Sequence, residues 1–311
     1  MHLRAALVSG SSLVIALGGA LAGCGDDGAS ATGGSGGGGG VPSTSTGATG
    51  GGTPTSTSAG SGGAGGGTPN GSAGCGTPTS EATATWLAKT ADVAGATRSY
   101  FVYLPPGYDA SRAYPVVYQF HGCNTNPDKE SNNVPIETQT GSDAIIVRGR
   151  AASDCWDTSA DGPDVAFFDA MVSATEAAYC ADTGRRFVAG YSSGSFMTHL
   201  LSCIRGAEIR GVASIAGGQG GSNCTGKVAA LLIHDENDNT VNISASIAAR
   251  DRYLSENGCG DTTMPFDPSP CQAYEGCASG LPVVWCQTSG QDHSRQDGLA
   301  APAFWNFLST L

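Results

Sequence analysis

The chain has 311 residues, 48 of them glycine, with a formal net charge of −12 and a pI near 4.6. An acidic chain without a cluster of Lys and Arg excludes a phosphate-backbone partner, since nucleic-acid binding draws on concentrated positive charge. Apolar content is ordinary, so a long stretch of the chain is able to bury a core.

The N-terminus reads MHLR, then AALVSGSSLVIALGGALAG, then Cys24: a short basic start, an apolar run and a small-residue end, the pattern of an export signal over residues 1–23. Gly18, Gly19, Ala22 and Gly23 favour cleavage over a membrane span. Leu21-Ala22-Gly23-Cys24 resembles the bacterial lipobox, which implies a lipid on Cys24 as the first mature residue. Residues 24–80 are Gly/Ser/Thr/Pro-rich and nearly devoid of apolar side chains. Such a run cannot bury a core and is expected to be a disordered, solvated tether. The remaining residues, 81–311, suit one catalytic-size domain. With export, the ten cysteines after Cys24 are an even number in an oxidising compartment, so disulfides are expected. Cys271 and Cys277 are near enough in the chain to close a small loop. No CxxC pair and no zinc-type Cys/His spacing occurs, so no metal is expected.

Within the domain, short β-rich runs recur at 98–104, 115–120, 144–147, 186–190, 211–216, 229–234 and 282–286, several of them continuously apolar like strands covered on both faces. Helix-like segments lie between them. DVAFFDAMVSATEAAY is the clearest, with Asp164 placed to cap its start, and others run over about 194–204, 244–255 and 301–311. Strands alternating with helices predict an α/β fold, a mostly parallel sheet with helices on both faces. No helical insertion long enough for a large lid interrupts the last strands. In such a sheet ligands sit beyond the carboxyl ends of the strands.

GYSSG, Gly190 to Gly194, directly follows the strand-like RFVAG and precedes the helix-like SFMTHLL. That junction is the context of a nucleophile elbow, in which small residues two before and two after the serine let strand and helix approach. Ser192 is therefore the candidate nucleophile, and it needs a base. Among five histidines, His2 lies in the signal and His121 and His199 precede the stretch where an acid would fall. His199 reads as a satisfied helix residue and His234 as a structural neighbour of a carboxylate cluster. His293, in SGQDHSRQD after the last strand, is the candidate base. The loop HDENDNTV offers the acid: Asp238 is the first choice because it lies a few residues beyond the strand, and Asp235 is the alternate. The loop is not a calcium site, since Thr240 stands where the glycine is required and Ser246 where the bidentate Glu would be. Oxyanion donors are expected from the backbone N–H groups of Ser193 and of Cys123 in the HGC turn. The Cys123 thiol is expected to pair with Cys155.

Taken together, RSYFVYLPPGYD, YPVVYQFHGC, CWD, DVAFFDAMV, RRFVAGYSSGSFMTHLLSC, HDENDNTV and the His293 segment ending in WNFL resemble the feruloyl esterase, acetylxylan esterase and polyhydroxybutyrate depolymerase group of α/β-hydrolases, the esterases of carbohydrate esterase family 1. The likeness spans nearly all of residues 95–311 and implies the same roles for Ser192, Asp238, His293 and the HGC turn. Relatives often carry GHxWP around the histidine, whereas this chain reads QDHSRQ.

These readings predict an exported serine esterase that works through an acyl-serine and requires no cofactor. Trp156, Tyr191 and Trp285 are candidate substrate contacts, with Phe196 and Trp305 also near the expected site; aromatic walls suit a hydroxycinnamoyl ring better than a bare acetyl group. Feruloyl esters on plant cell-wall polysaccharide are thus the expected substrate, with acetylated xylan or polyhydroxybutyrate as alternatives. Membrane contact is expected through the lipid on Cys24 alone. A catalytically inactive, surface-anchored binding protein with the same fold would need a broken triad, and every member is present in order.

Overall fold

The computed structural model describes residues 70–311 apart from 125, 127 and 222. The expected export signal, the expected lipidation site at Cys24 and most of the expected tether lie outside the described residues. Ten strands form one sheet: β1 (Trp86–Val93), β2 (Ala96–Tyr103), β3 (Tyr114–Phe120), β4 (Ile145–Gly149), β5 (Ala181–Tyr191), β6 (Gly211–Ile215), β7 (Ala229–Asp235), β8 (Thr263–Pro265), β9 (Gln272–Tyr274) and β10 (Val283–Thr288). Their order is β1-β2-β4-β3-β5-β6-β7-β10-β9-β8. The six central strands from β4 to β10 are mutually parallel, while the β1–β2 and β8–β9 pairs flank them antiparallel. Every residue of β3, β4, β6 and β7 is buried, which is why these runs are apolar without alternation.

Five α-helices complete the fold: α1 (Glu137–Thr140), α2 (Pro163–Ala178), α3 (Ser193–Ile204), α4 (Ser244–Asn257) and α5 (Asp297–Leu308). One face of the sheet is covered by apolar side chains of α2, α3 and α4, including Phe168, Met171, Met197, Leu201 and Tyr253. The other is covered by Phe304, Phe307 and Leu308 of α5. In α2, Pro163 occupies the first turn, where its missing N–H costs nothing, and Asp164, Phe168, Met171 and Thr175 form its buried stripe. Asp164 does not cap the helix as expected. Its carboxylate is turned inward, accepting from Arg98 Nη2 at 2.7 Å and from the Asp157 N–H at 2.7 Å, so it ties β2 to the loop before α2. The last helix starts at Asp297 rather than near 301, and Pro302 is accommodated within it.

The domain begins earlier than the expected boundary at residue 80. Gly71 bridges Asp182, Ser72 Oγ donates to Tyr179 O at 2.7 Å, and Cys75 is bonded to Cys180. Glycine and serine content hid this strap, because its attachment uses backbone groups, the Ser72 hydroxyl and one sulfur rather than apolar side chains. The remaining disulfides are Cys123–Cys155, Cys203–Cys224, Cys259–Cys277 and Cys271–Cys286. Cys123–Cys155 is as expected. Cys271 and Cys277 do not pair with each other: Cys271 is fixed in the core beside Cys286 of β10, and Cys277 instead closes on the end of α4.

Candidate active site

Ser192 stands between β5 and α3 with φ 53° and ψ −119°, a conformation that L-residues avoid and that is held here by packing on both sides. Its N–H donates to Ile215 O at 3.0 Å. The flanking glycines are required by contact: a Cβ on Gly190 would lie 2.1 Å from Gly194 O, and one on Gly194 would lie 1.8 Å from Phe120 O. The strand and helix therefore touch backbone to backbone at the turn.

His293 lies in the loop after β10. Its Nε2 is 2.9 Å from Ser192 Oγ and its Nδ1 2.8 Å from Asp238 Oδ2. The ring is held by Tyr191, whose hydroxyl donates to His293 O at 3.2 Å and whose ring centre is 5.4 Å from the imidazole. The Asp238 side chain is fully buried. Burial alone would raise its pKa, but bonds from His293 and from the N–H groups of Val241 (2.8 Å) and Thr240 (2.9 Å) outweigh that, and the carboxyl sits below its ordinary value. With Asp238 ionised, Nδ1 of His293 carries the proton and Nε2 is free to accept one from the serine.

Asp235, the alternate acid, is also buried but faces elsewhere. It accepts from the Asn237 N–H at 3.0 Å, from Thr288 Oγ1 at 2.9 Å and from the Gln291 N–H at 2.9 Å. It thus joins the loop after β7 to the loop carrying His293, a role its position in the sequence did not announce.

The HGC turn is built around His121, which is buried and accepts the Ala151 N–H through Nε2 at 3.1 Å. Its Nδ1–H therefore donates to Gly122 O at 2.6 Å, and burial pushes its pKa down to about 4, so the ring is neutral. Asn124 N–H donates to Asp154 O at 2.9 Å, and with the Cys123–Cys155 bond this closes the turn against the CWD segment. Trp156 N–H in turn donates to Ser193 Oγ at 3.0 Å, fastening that segment to the elbow. The Ser193 N–H, at the first position of α3, has no intrahelical acceptor. The Cys123 N–H donates to no acceptor among the described residues.

The aromatic candidates fare differently. Trp156 is core: its ring packs edge-on against Phe120 at 4.8 Å and its Nε1–H donates to His121 O. Trp285 is 7 % exposed, lies in the body of β10 opposite Leu232 and is covered by Arg250 of α4, so it does not reach the site. Tyr191 is buried against the His293 loop rather than offering an open wall. Trp305 borders a hollow with Arg112 and Arg185, away from Ser192. Phe196, one helical turn beyond Ser192, borders open space on the Ser192 side of the sheet: with Leu200, Thr158, Gly218, Gln219, Gly220 and Gly221 it lines a cavity of about 200 Å³. A larger hollow, about 560 Å³, lies behind the His293 loop among Gln287, Gln291 and Gln296; neither it nor the Phe196 cavity is lined by Ser192, His293 or Asp238 themselves, but the Phe196 cavity opens from the helix that Ser192 begins. His199 is buried beneath Tyr253, which its Nδ1 meets at 2.9 Å; desolvation and the nearby Arg252 push its pKa down to about 3.

No family model matches the chain. Among solved structures it resembles an acetyl xylan esterase from Aspergillus awamori (TM-score 0.58, 14% identity, covering 73% of this chain and 100% of that one). It also resembles a ferulic acid esterase of carbohydrate esterase family 1 from Anaeromyces mucronatus in complex with ferulic acid (TM-score 0.51, 18% identity, covering 73% and 90%). The fold is that of an α/β-hydrolase, and two curated relatives make the chain a serine carboxylic ester hydrolase. Feruloyl esterase C of Emericella nidulans is 32% identical over 229 residues, covering 68% of this chain and 83% of the relative, and feruloyl esterase D of Neurospora crassa is 29% identical over 248 residues, covering 71% and 84%. The chain belongs to the feruloyl esterase family.

Proposed function

We propose that the protein hydrolyses feruloyl esters on plant cell-wall polysaccharide, with Ser192 as nucleophile, His293 as general base and acid, and Asp238 as the group that orients and stabilises the imidazolium. The observation that carries the mechanism is the unbroken chain of contacts from Ser192 Oγ through both ring nitrogens of His293 to Asp238 Oδ2, at 2.9 and 2.8 Å. His293 Nε2 takes the Ser192 proton as Oγ attacks the ester carbonyl. The oxyanion is received by the N–H groups of Ser193, at the start of α3, and Cys123, in the turn after β3, both held by the CWD segment. His293 then returns the proton to the departing sugar hydroxyl, and water repeats the sequence on the acyl-serine.

The acyl assignment rests on the named relatives and on the cavity beside Phe196, whose lining of Phe196, Leu200 and the glycine-rich Gly218–Gly221 segment suits a flat ring. Comparing kcat/KM on methyl ferulate, acetylated xylan and amorphous polyhydroxybutyrate tests it: methyl ferulate is expected to lead, and preference for either polymer overturns the feruloyl reading while leaving the serine mechanism standing.

Five disulfides support passage through an oxidising compartment. We assign residues 1–23 as the export signal, Cys24 as the lipidated first residue and residues 24–69 as the tether, on the sequence pattern alone. Intact mass of the mature protein tests this: a chain that starts well after Cys24 without lipid refutes it.

A further inference from the structure

Arg185 lies in β5, where successive side chains alternate between the two faces of the sheet. Phe187 and Ala189, two and four residues on, pack in the core beneath α5, so Arg185 shares that face. Its neighbour Arg186, on the other face, is held by the carboxylates of Glu176 and Glu208. Arg185 has no such partner: its Nε is buried without an acceptor, and it makes no hydrogen bond or ion pair among the described residues. A chain with a formal net charge of −12 has carboxylates to spare, yet none contacts it. The side chain instead lines a hollow of about 390 Å³ together with Arg112, Asp143, Trp305 and Ser309. Arg112 and Asp143 pair with each other at 2.8 Å, so the lining keeps one uncompensated positive charge. Trp305 is half-buried, resting on the core around Phe304 and Phe307 at the end of α5.

We propose that this hollow is a carbohydrate site for a uronic-acid unit of the cell-wall polysaccharide, with the sugar carboxylate received by Arg185 and the ring laid on Trp305. A guanidinium presents paired planar donors that match a carboxylate. An indole supplies a flat apolar surface for the C–H groups of a pyranose ring. The Ser309 hydroxyl and the exposed Asp143 carboxylate supply partners for the ring hydroxyls. The volume is that of a small-ligand pocket rather than the seat of a bare ion, and the Asp143 charge opposes a dianion such as phosphate. Arg185 and Tyr191, the residue before Ser192, are six residues apart along β5, about 20 Å. The site therefore gives the enzyme a second grip on the polymer and leaves the elbow free to take an ester.

The ligand class rests on the polysaccharide part of the function proposed above, and oligosaccharides without an ester test it independently of Ser192. Isothermal titration of the full chain compares a glucuronate-substituted xylo-oligosaccharide with the unsubstituted one of equal length. The acidic ligand is expected to bind about 10- to 100-fold more tightly, the worth of a charge-assisted hydrogen-bonded pair, and the preference should narrow as NaCl is raised. Arg185→Gln should bring the two ligands within about twofold of each other, while kcat and KM on methyl ferulate stay within about twofold of the parent. Trp305→Leu should weaken both ligands several-fold and keep the preference for the acidic one. Equal binding of the two oligosaccharides by the parent, or a preference that survives Arg185→Gln, would overturn the proposal. So would inorganic phosphate or free ferulate that displaces the acidic ligand at equal concentration, the first marking a general anion site and the second an aromatic-acid site. An Arg185→Gln variant that loses fold leaves the parent and Trp305→Leu comparisons to decide. Absent turnover of methyl ferulate by a parent that still prefers the acidic ligand would instead overturn the feruloyl reading and leave this site standing.

Discussion

Replacing Asp238 and Asp235 separately by Asn distinguishes the proposed orienting acid from the loop anchor beside it. In Asp238→Asn the amide oxygen can still accept from Thr240 and Val241, so its NH2 group faces His293 Nδ1. An amide N–H only donates, so Nδ1 must become the acceptor and the ring proton moves to Nε2, aimed at Ser192 Oγ. A base in that tautomer cannot take the serine proton. The expected loss in kcat is on the order of 10⁴, about 5.5 kcal/mol of transition-state stabilisation, with little change in fold. In Asp235→Asn an amide nitrogen at the Oδ2 position would oppose the Gln291 N–H, an unsatisfied buried contact worth about 1–3 kcal/mol. Tm should fall by about 2 to 10 °C, and kcat by about 10- to 100-fold, because the His293 loop is loosened but its tautomer is kept. Steady-state kinetics on methyl ferulate and melting curves on both variants read the difference. If Asp235→Asn abolishes activity while Asp238→Asn keeps more than a tenth of it, the reasoning is refuted.

Gly194→Ala should cut kcat/KM by at least about 100-fold, since its Cβ would lie 1.8 Å from Phe120 O and must push the elbow away from the HGC turn; a crystal structure with an unmoved Ser192 would contradict this. Phe196→Ala should raise KM for methyl ferulate several-fold more than for methyl acetate, measured side by side, because only the larger acyl group needs the cavity. Replacing both Cys75 and Cys180 by Ala should cost up to about 4.7 kcal/mol in denaturant unfolding, the closure entropy for a separation of 105 residues, with kcat unchanged. The Asp238 carboxyl is depressed in the folded state, so its contribution to stability is present above the ordinary carboxylate pKa and is lost as pH falls through the depressed value. The Tm difference between the parent and Asp238→Asn should therefore narrow as pH is lowered below about 4.

The central strands and the elbow were legible because each has a local cause: unbroken apolar runs mark strands covered on both faces, and glycines two residues either side of Ser192 mark a backbone contact. The sequence signal failed where stability is not apolar. Strand β1, WLAKTADV, alternates half-buried and exposed residues at an edge, and its Lys and Asp obscured it. The short strands β8 and β9 have no buried residue at all and are held by neighbouring disulfides. Trp156 and Trp285 were expected at the site because they follow or lie in strands that approach it, yet chain position says nothing about which way a ring turns. The Asp164 side chain illustrates the same gap: its place at a helix start suggests a cap, but a buried Arg98 competes for it and wins. Nothing in the spacing of His234 and Ser246, 12 residues apart, signals that they meet.

The strap at residues 70–75 also determines how the domain would carry load. It joins at the head of β5, beside Tyr114 where β3 begins, while Ser192 follows the far end of the same strand, beside Phe120. Those ends are six residues apart along β3, about 20 Å. Tension applied through the N-terminus would therefore enter the sheet at the pole opposite the ester-binding end, across the Cys75–Cys180 bond, and would spread through the parallel strands before reaching the elbow.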